Sequence, residues 1–324
     1  MSSENQSNPG DHIDPVRSDI WYDDGNIVLQ AQNVQFKVHK SILAHSSSVF
    51  RDMFSVPQPP SQDTHLVEGC PVVHLSDSAE DVSYILQALF QREYVADGEK
   101  IPFAVMSAFL SLGDKYDIPK LRTEAKKKLC REFPIILRDM DALGKYWVTI
   151  DISEVKNEYM ELVILARRER VFSVLPYLLY QCGKRHSASE ILQGLARDDG
   201  SRLLLSPEDQ LACIASHRKL CEVQAKTTFD WAYSQDITSL TSHKCLSSIQ
   251  CDRARRQFLS TAQLYPVPVV RGLTRWRDTF SEELCATCAI KAKEQHNMGR
   301  AKFWEQLPVL LGLPPWSELK NERE

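Results

Sequence analysis

The sequence predicts a mixed α/β (α+β) region at the N-terminus followed by an all-α region. Three observations carry that expectation. Between residues 26 and 75, short apolar runs with rough alternation recur, the pattern of half-buried strands. From Val49 onward apolar residues also recur at three and four positions, the pattern of helices. Beyond residue 133 the strand-like runs stop and helical periodicity continues alone.

Taken in order, residues 1–18 are polar, acidic and broken by Pro9, Gly10 and Pro15, so they are expected to form a disordered tail. "NIVLQAQ" and "VQFKV" form a hairpin around Asn33. Val49, Phe50, Met53 and Phe54 then share a helix face, with Ser46–Ser48 supplying cap hydroxyls just before it. "SVPQPPSQDTHLVEG" is a proline-rich loop, and "PVVHL" is a further strand. Asp77 with Glu80, or Ser78 with Asp81, opens a helix whose inward stripe is Val82, Ile85, Leu86, Leu89 and Phe90. "IPFAVMSAFLSLGDKY" is apolar on nearly all sides and therefore central. The next helix begins near Pro119, turning Leu121, Ala125 and Leu129 inward and Lys126–Lys128 outward. Behind it, "ISEVKNEYMELVILARRER", "VFSVLPYLLYQCGKR" and "SASEILQGLARDD" are helices, and a long one starts at Ser206 with Pro207 in its first turn.

With 43% hydrophobic residues, 25% charged and a net charge of −4, the chain can build a real core and is not a uniformly basic nucleic-acid binder. No run approaches the 18 or so apolar residues of a membrane span, and the N-terminus lacks a signal peptide's basic and apolar segments. A cytoplasmic or nuclear location is expected, where nine cysteines are buried thiols or metal ligands rather than a disulfide framework.

"FKVHKSILAHSSSVFRDMF" crowds two histidines, four serines and an aspartate into residues 36–54. Crowding in sequence does not make a catalytic triad, which needs three groups and an oxyanion hole brought together by the fold. No G-x-S-x-G, H-E-x-x-H, P-loop or G-x-G-x-x-G occurs. The histidines and serines are expected to be turn and cap residues, with His39 bonding backbone, and the protein to be no enzyme.

The same stretch resembles the hallmark of the BTB/POZ domain through Phe36, Val38, His39, Lys40, Ile42, Leu43, Ala44, Ser47, Phe50, Met53 and Phe54. "DKYDIPKL" is similar to that family's later signature through Asp114, Lys115, Tyr116, Ile118, Pro119 and Leu121. The resemblance covers residues 19–133, leaving 134–324 as a helical C-terminal region. The wording of the whole chain, including "LPVLLGLPPWSEL", is also similar to a group of BTB proteins of mushroom-forming fungi. One departure is Asn26, which stands where many BTB domains carry Asp.

The resemblance implies a protein–protein interaction adaptor that forms homo- or hetero-oligomers. It also implies a candidate cullin partner, because Leu66-Val67-Glu68 fits the hydrophobic-x-Glu tripeptide of cullin-binding members, which makes a ubiquitin-ligase adaptor. Trp21 and Tyr22 are candidates for a covered aromatic patch.

Six cysteines lie between residues 213 and 288. Cys245 and Cys251 form C-x5-C, and Cys285 and Cys288 form C-x2-C. These four either close a structural zinc site within 243–296, with His243 or His296 as a replacement ligand, or pack as reduced thiols in a helical core. Cys213, His217 and Cys221, at i, i+4 and i+8, cannot all reach one ion and are expected to be ordinary helix residues. Residues 244–302 carry eleven Lys/Arg against five Asp/Glu, so the alternative to an adaptor is a transcriptional regulator whose basic, cysteine-bearing region contacts nucleic acid.

Overall fold

A computed structural model describes residues 14–56, 66–96, 98–144, 147–234, 245, 247–266 and 268–323. The chain divides into two compact units. The first runs to Leu129 and also takes in Trp147–Ser153; the second holds the remainder from Cys130 onward. No helix among the described residues is long and apolar enough to cross a membrane.

The first unit is built on a mixed sheet of β1 (Val16–Trp21), β2 (Ile27–Ala31), β3 (Val34–Val38), β4 (Leu66–Val67) and β5 (Cys70–Leu75). The strand order is β1-β3-β2-β5-β4. β2 and β3 form the expected hairpin, pairing Ile27 with Val38 and Ala31 with Val34. Its tight turn puts Gln32 at φ 52°, in the left-handed region. β1 runs parallel to β3, and β2 parallel to β5.

Of the segment 1–18 expected as a tail, residues 1–13 lie outside the described residues, but Val16 already opens β1. Its N–H donates to the Asn33 carbonyl at 2.7 Å, so neighbouring backbone orders a stretch whose composition alone reads as disordered. Trp21 closes this first strand. Residues 57–65 of the proline-rich loop also lie outside the described residues.

Five helices cover the sheet: α1 (Lys40–Ser46), α2 (Ser48–Ser55), α3 (Ala79–Leu86), α4 (Phe103–Lys115) and α5 (Pro119–Glu132). α4 buries Val105, Met106, Phe109 and Leu110, the all-round apolar surface of a central helix. Ser78 caps α3 by accepting from the Asp81 N–H. Leu121, Ala125 and Leu129 of α5 are buried as their spacing predicts.

Beyond residue 133 the chain is helical but strands do not stop. β7 (Ile150–Asp151) pairs with β6 (Ile101–Pro102), which draws residues 147–153 into the first unit. β8 (Leu195–Ala196) pairs with β9 (Arg202–Leu203). Gly194, at φ 72°, ends the helix expected to run through "SASEILQGLARDD" and turns the chain into this hairpin. Two-residue pairings carry too little periodicity to be legible in a sequence.

The second unit contains α6 (Leu137–Ala142), α7 (Glu158–Arg168), α8 (Leu175–Arg185), α9 (Ala188–Gln193), α10 (Pro207–Lys226), α11 (Asp230–Tyr233), α12 (Ser248–Thr261), α13 (Ala286–Leu310) and α14 (Trp316–Leu319). α10 starts as its sequence predicts: the Ser206 hydroxyl accepts from the Asp209 N–H, and Pro207 follows the cap. Asp209, itself buried, receives the Arg167 guanidinium from α7 at 2.7 Å. α13 passes so close to the end of α10 that a Cβ on Gly299 would overlap the Thr227 carbonyl. Its Arg300 binds both oxygens of Asp141, at 2.6 and 2.7 Å, a bidentate tie.

A candidate four-cysteine metal centre and the partner surfaces

The two cysteine pairs meet. Cys251 sits in the first turn of α12, Cys285 caps α13, Cys288 follows one turn later, and Cys245 lies ahead of α12. Their four sulfurs all lie within 4.8 Å of one another. The Cys245 sulfur is 3.9 Å from those of Cys251 and Cys285 and 3.5 Å from that of Cys288. A tetrahedral zinc–thiolate centre with bonds of about 2.3 Å has sulfur–sulfur edges of roughly 3.8 Å, so the cluster fits that ion closely.

The Cys285 backbone N–H points at the Cys251 sulfur at 3.3 Å, the kind of outer contact that stabilises a bound thiolate. Burial, together with the neighbouring sulfurs, pushes the Cys251 and Cys288 thiols above their ordinary range. A cation bound at the centre would favour the ionised form of both.

His296 does not join them. It lies fully buried in the α13 core, where its Nδ1 accepts from the Trp231 indole at 3.3 Å and its Nε2 donates to the Thr274 carbonyl at 2.8 Å. Both ring nitrogens are committed, which removes it as a replacement ligand. His243, the other proposed replacement, lies outside the described residues. Cys213 and Cys221 are buried against the Leu179 and Pro268 carbonyls, as expected of ordinary helix cysteines.

The serines and histidines of residues 36–54 have structural partners. Ser47 accepts from the Phe50 N–H and donates to the Tyr116 carbonyl at 2.5 Å, and Ser48 bonds Asp117. The Tyr116 ring stacks on Phe50 at 4.9 Å, its hydroxyl meets Asp77, and Lys115 pairs with the same carboxylate at 2.6 Å. The two sequence signatures thus form one clamp between α2 and the α4–α5 turn. His39 departs from expectation: its ring faces the Asp24 carboxylate at 3.3 Å and packs beside Tyr22, rather than bonding backbone. Asn26 takes the backbone role instead, its side chain accepting from the Lys40 N–H at 2.8 Å to cap α1. That is a task the Asn amide oxygen performs without a charge.

Of the partner-surface residues, Leu66 stands 55% exposed on edge strand β4 and Val67 is half-buried. Glu68 follows in a left-handed turn at φ 49°, its two oxygens held by Arg17 at 2.7 Å and Lys37 at 3.0 Å. The hydrogen bond from Lys37, with the two cationic charges, outweighs the desolvation of this carboxylate and holds it below the ordinary glutamate range. Arg17 also lies over the Trp21 ring at 4.5 Å, so Trp21 and Glu68 share one cluster. Tyr22 packs apart from them, between His39 and Phe90. The link between Trp21 and Glu68 could not be read from positions 47 residues apart.

Four arginines of the basic stretch 244–302 pair with two carboxylates, Asp252 inside the stretch and Asp141 outside it. Arg255 is buried, pairs with Asp252 and donates to the Ser234 carbonyl; Arg256 shares Asp252; Arg275 and Arg300 both hold Asp141. Arg255 and Arg300 are therefore buried structural ties, while Arg256 and Arg275 keep exposed guanidinium groups beside their carboxylates.

No curated protein matches the chain. Residues 23–132 match the family model of the BTB/POZ domain. With its mixed sheet and covering helices, the N-terminal unit is a BTB/POZ domain, followed by a helical C-terminal region.

Proposed function

We propose that the protein is a non-enzymatic adaptor whose BTB/POZ domain joins it to itself or to another protein, while the helical region receives a client. The observation that carries this reading, beyond the family match, is the edge of the sheet. β1 is an outer strand, and Val16 at its start is 56% exposed. An outer strand with an exposed apolar residue is the arrangement by which sheets recruit another chain. Ile42 of α1 and Val49 of α2 add exposed apolar side chains to the same domain.

In the sharper form of the reading, the partner is a cullin that recognises Leu66-Val67-Glu68. The outward Leu66 supports it, with Glu68 acting by shaping the turn after β4 rather than as a free carboxylate. Calorimetric titration of the full chain with the N-terminal helical repeat of a cullin tests it. Micromolar or tighter binding, lost in Leu66→Ala, makes the protein a ubiquitin-ligase adaptor. Absence of heat removes the cullin, and light scattering of the Ile42→Asp variant then tests self-association alone.

The four cysteines are assigned structural Zn2+, supported by the sulfur–sulfur distances. The ion would tie residue 245 and the starts of α12 and α13 into one rigid corner beneath the aromatic cluster of Trp231, Phe258, Trp276 and Phe280. Metal analysis of the purified protein at one zinc per chain is the expected result.

A further inference from the structure

The helical unit contains a second feature that neither the BTB/POZ domain nor the cysteines account for. A cleft of about 1240 Å³ opens between α8, α10, α12 and the segment 269–283. That exceeds the roughly 300–1,000 Å³ typical of small-molecule sites, so its size suits an extended segment. Its floor is apolar, with Phe229 and Val270 buried and Phe258 and Phe280 half-buried.

Its charged lining is uneven. Elsewhere in this unit arginines find carboxylates: Arg167 holds Asp209, Arg185 holds Glu158, and Arg197 holds Glu161. In the cleft, Lys184 and Arg271 stand near one another with no carboxylate pairing either among the described residues. Among the described residues the Arg271 guanidinium bonds the neutral Gln263 amide, at 2.9 Å. Arg277 adds a third cation without an ion pair among the described residues. The two carboxylates of the lining, Glu282 and Glu283, lie together on one segment and pair with none of these three. Desolvation first, and then the charges of Arg185 and Arg271, press the Lys184 ammonium below its ordinary value.

We propose that this cleft binds an acidic peptide segment bearing an aromatic or aliphatic side chain, its carboxylates meeting Lys184, Arg271 and Arg277 and its apolar group resting on Phe229 and Phe258. This deepens the adaptor reading and rests on it, since it gives the client's recognition element a chemistry. The cysteines lie close along the chain to this floor: α12 supplies both Cys251 and Phe258, and Phe280, which packs on Phe258 at 4.9 Å, lies five residues ahead of Cys285.

The test is selection of a phage-displayed random dodecapeptide library against the full, metal-loaded chain, followed by fluorescence polarisation of the most enriched peptide. Enriched sequences are expected to combine Asp or Glu with Phe, Trp or Leu. Lys184→Glu and Arg277→Glu, both at exposed positions, should each weaken the peptide by about tenfold while leaving the circular dichroism unchanged. Enrichment of basic peptides, enrichment of no shared composition, or equal binding by both charge-reversed variants overturns the proposal. The two readings fail separately. Loss of peptide selection with self-association intact removes the cleft's ligand, whereas a monomeric, cullin-blind chain that still selects acidic peptides removes the adaptor role.

Discussion

The BTB/POZ unit combines local caps with a sheet and a clamp between its two signatures, whereas the longest-range side-chain ties of the described residues lie in the helical unit. In the first, Ser47 caps α2 three residues ahead of Phe50, Ser78 caps α3, and β2 and β3 pair across a two-residue turn. In the second, Asp141 reaches Arg300 across 159 positions, and Arg323 reaches the Cys130 carbonyl across 193. The cysteine cluster likewise joins positions 40 apart. The two units therefore differ in how far along the chain their side-chain ties reach. In the first, the tie from Ser47 to Tyr116 spans 69 positions; in the second, the four cysteines are a candidate staple.

The strongest way to break the contrast is to remove the staple. Structural zinc contributes about 10 kcal/mol or more of binding free energy in zinc-dependent peptides. Chelation or Cys285→Ser should therefore expose the amides of α12 and α13 to hydrogen exchange while β2 and β3 stay protected. Equal protection in both units after metal removal would show that the thiols merely pack.

Acid should separate the units next. Burial, with the nearby Arg300 charge, drives His296 down to about 4, so it stays neutral in the folded protein. Because the folded value lies below the unfolded one of about 6.5, its contribution is complete above that pH and is lost as pH falls toward 4, up to about 3 kcal/mol. Denaturant titrations at both ends of this window should show a loss in the native protein that exceeds the loss in His296→Gln.

Removing the Asp141 carboxylate leaves Arg300, with a side chain only 9% exposed, without its charge partner. Asp141→Ala should cost about 2–3 kcal/mol, less than a fully buried pair because the carboxylate keeps some water. Gly299→Ala forces a methyl group onto the Thr227 carbonyl and should cost about 1–3 kcal/mol, measured by thermal unfolding. The smallest effect belongs to the BTB/POZ unit. Glu68→Gln keeps an acceptor for the buried Lys37, which also still donates to the Asp23 carbonyl, so the unfolding midpoint should move less than in those variants.

Much of this was legible beforehand, and the misses share a cause. The hairpin, the Ser206 cap and the inward stripe of α5 follow from periodicity and capping, which act within one or two turns. β1 was missed because Val16–Ser18 have tail-like composition and gain their order from the Asn33 carbonyl. His39 could be placed at a strand end, but its partner Asp24 depended on how the preceding turn folds back. The cysteine quartet was readable as two pairs, yet its closure and the exclusion of His296 were not, since spacing alone does not say which helix faces meet.

By itself, then, the sequence determined the BTB/POZ domain, the helical character of the rest and the identity of four candidate ligands, because each rests on local patterns a few residues long. Only the tertiary structure decided that the four sulfurs converge, that Asp141 neutralises two arginines of the basic stretch, and that Lys184, Arg271 and Arg277 are left facing a cleft. Those outcomes depend on which distant side chains reach one another, and electrostatic pairing has no periodicity along the chain.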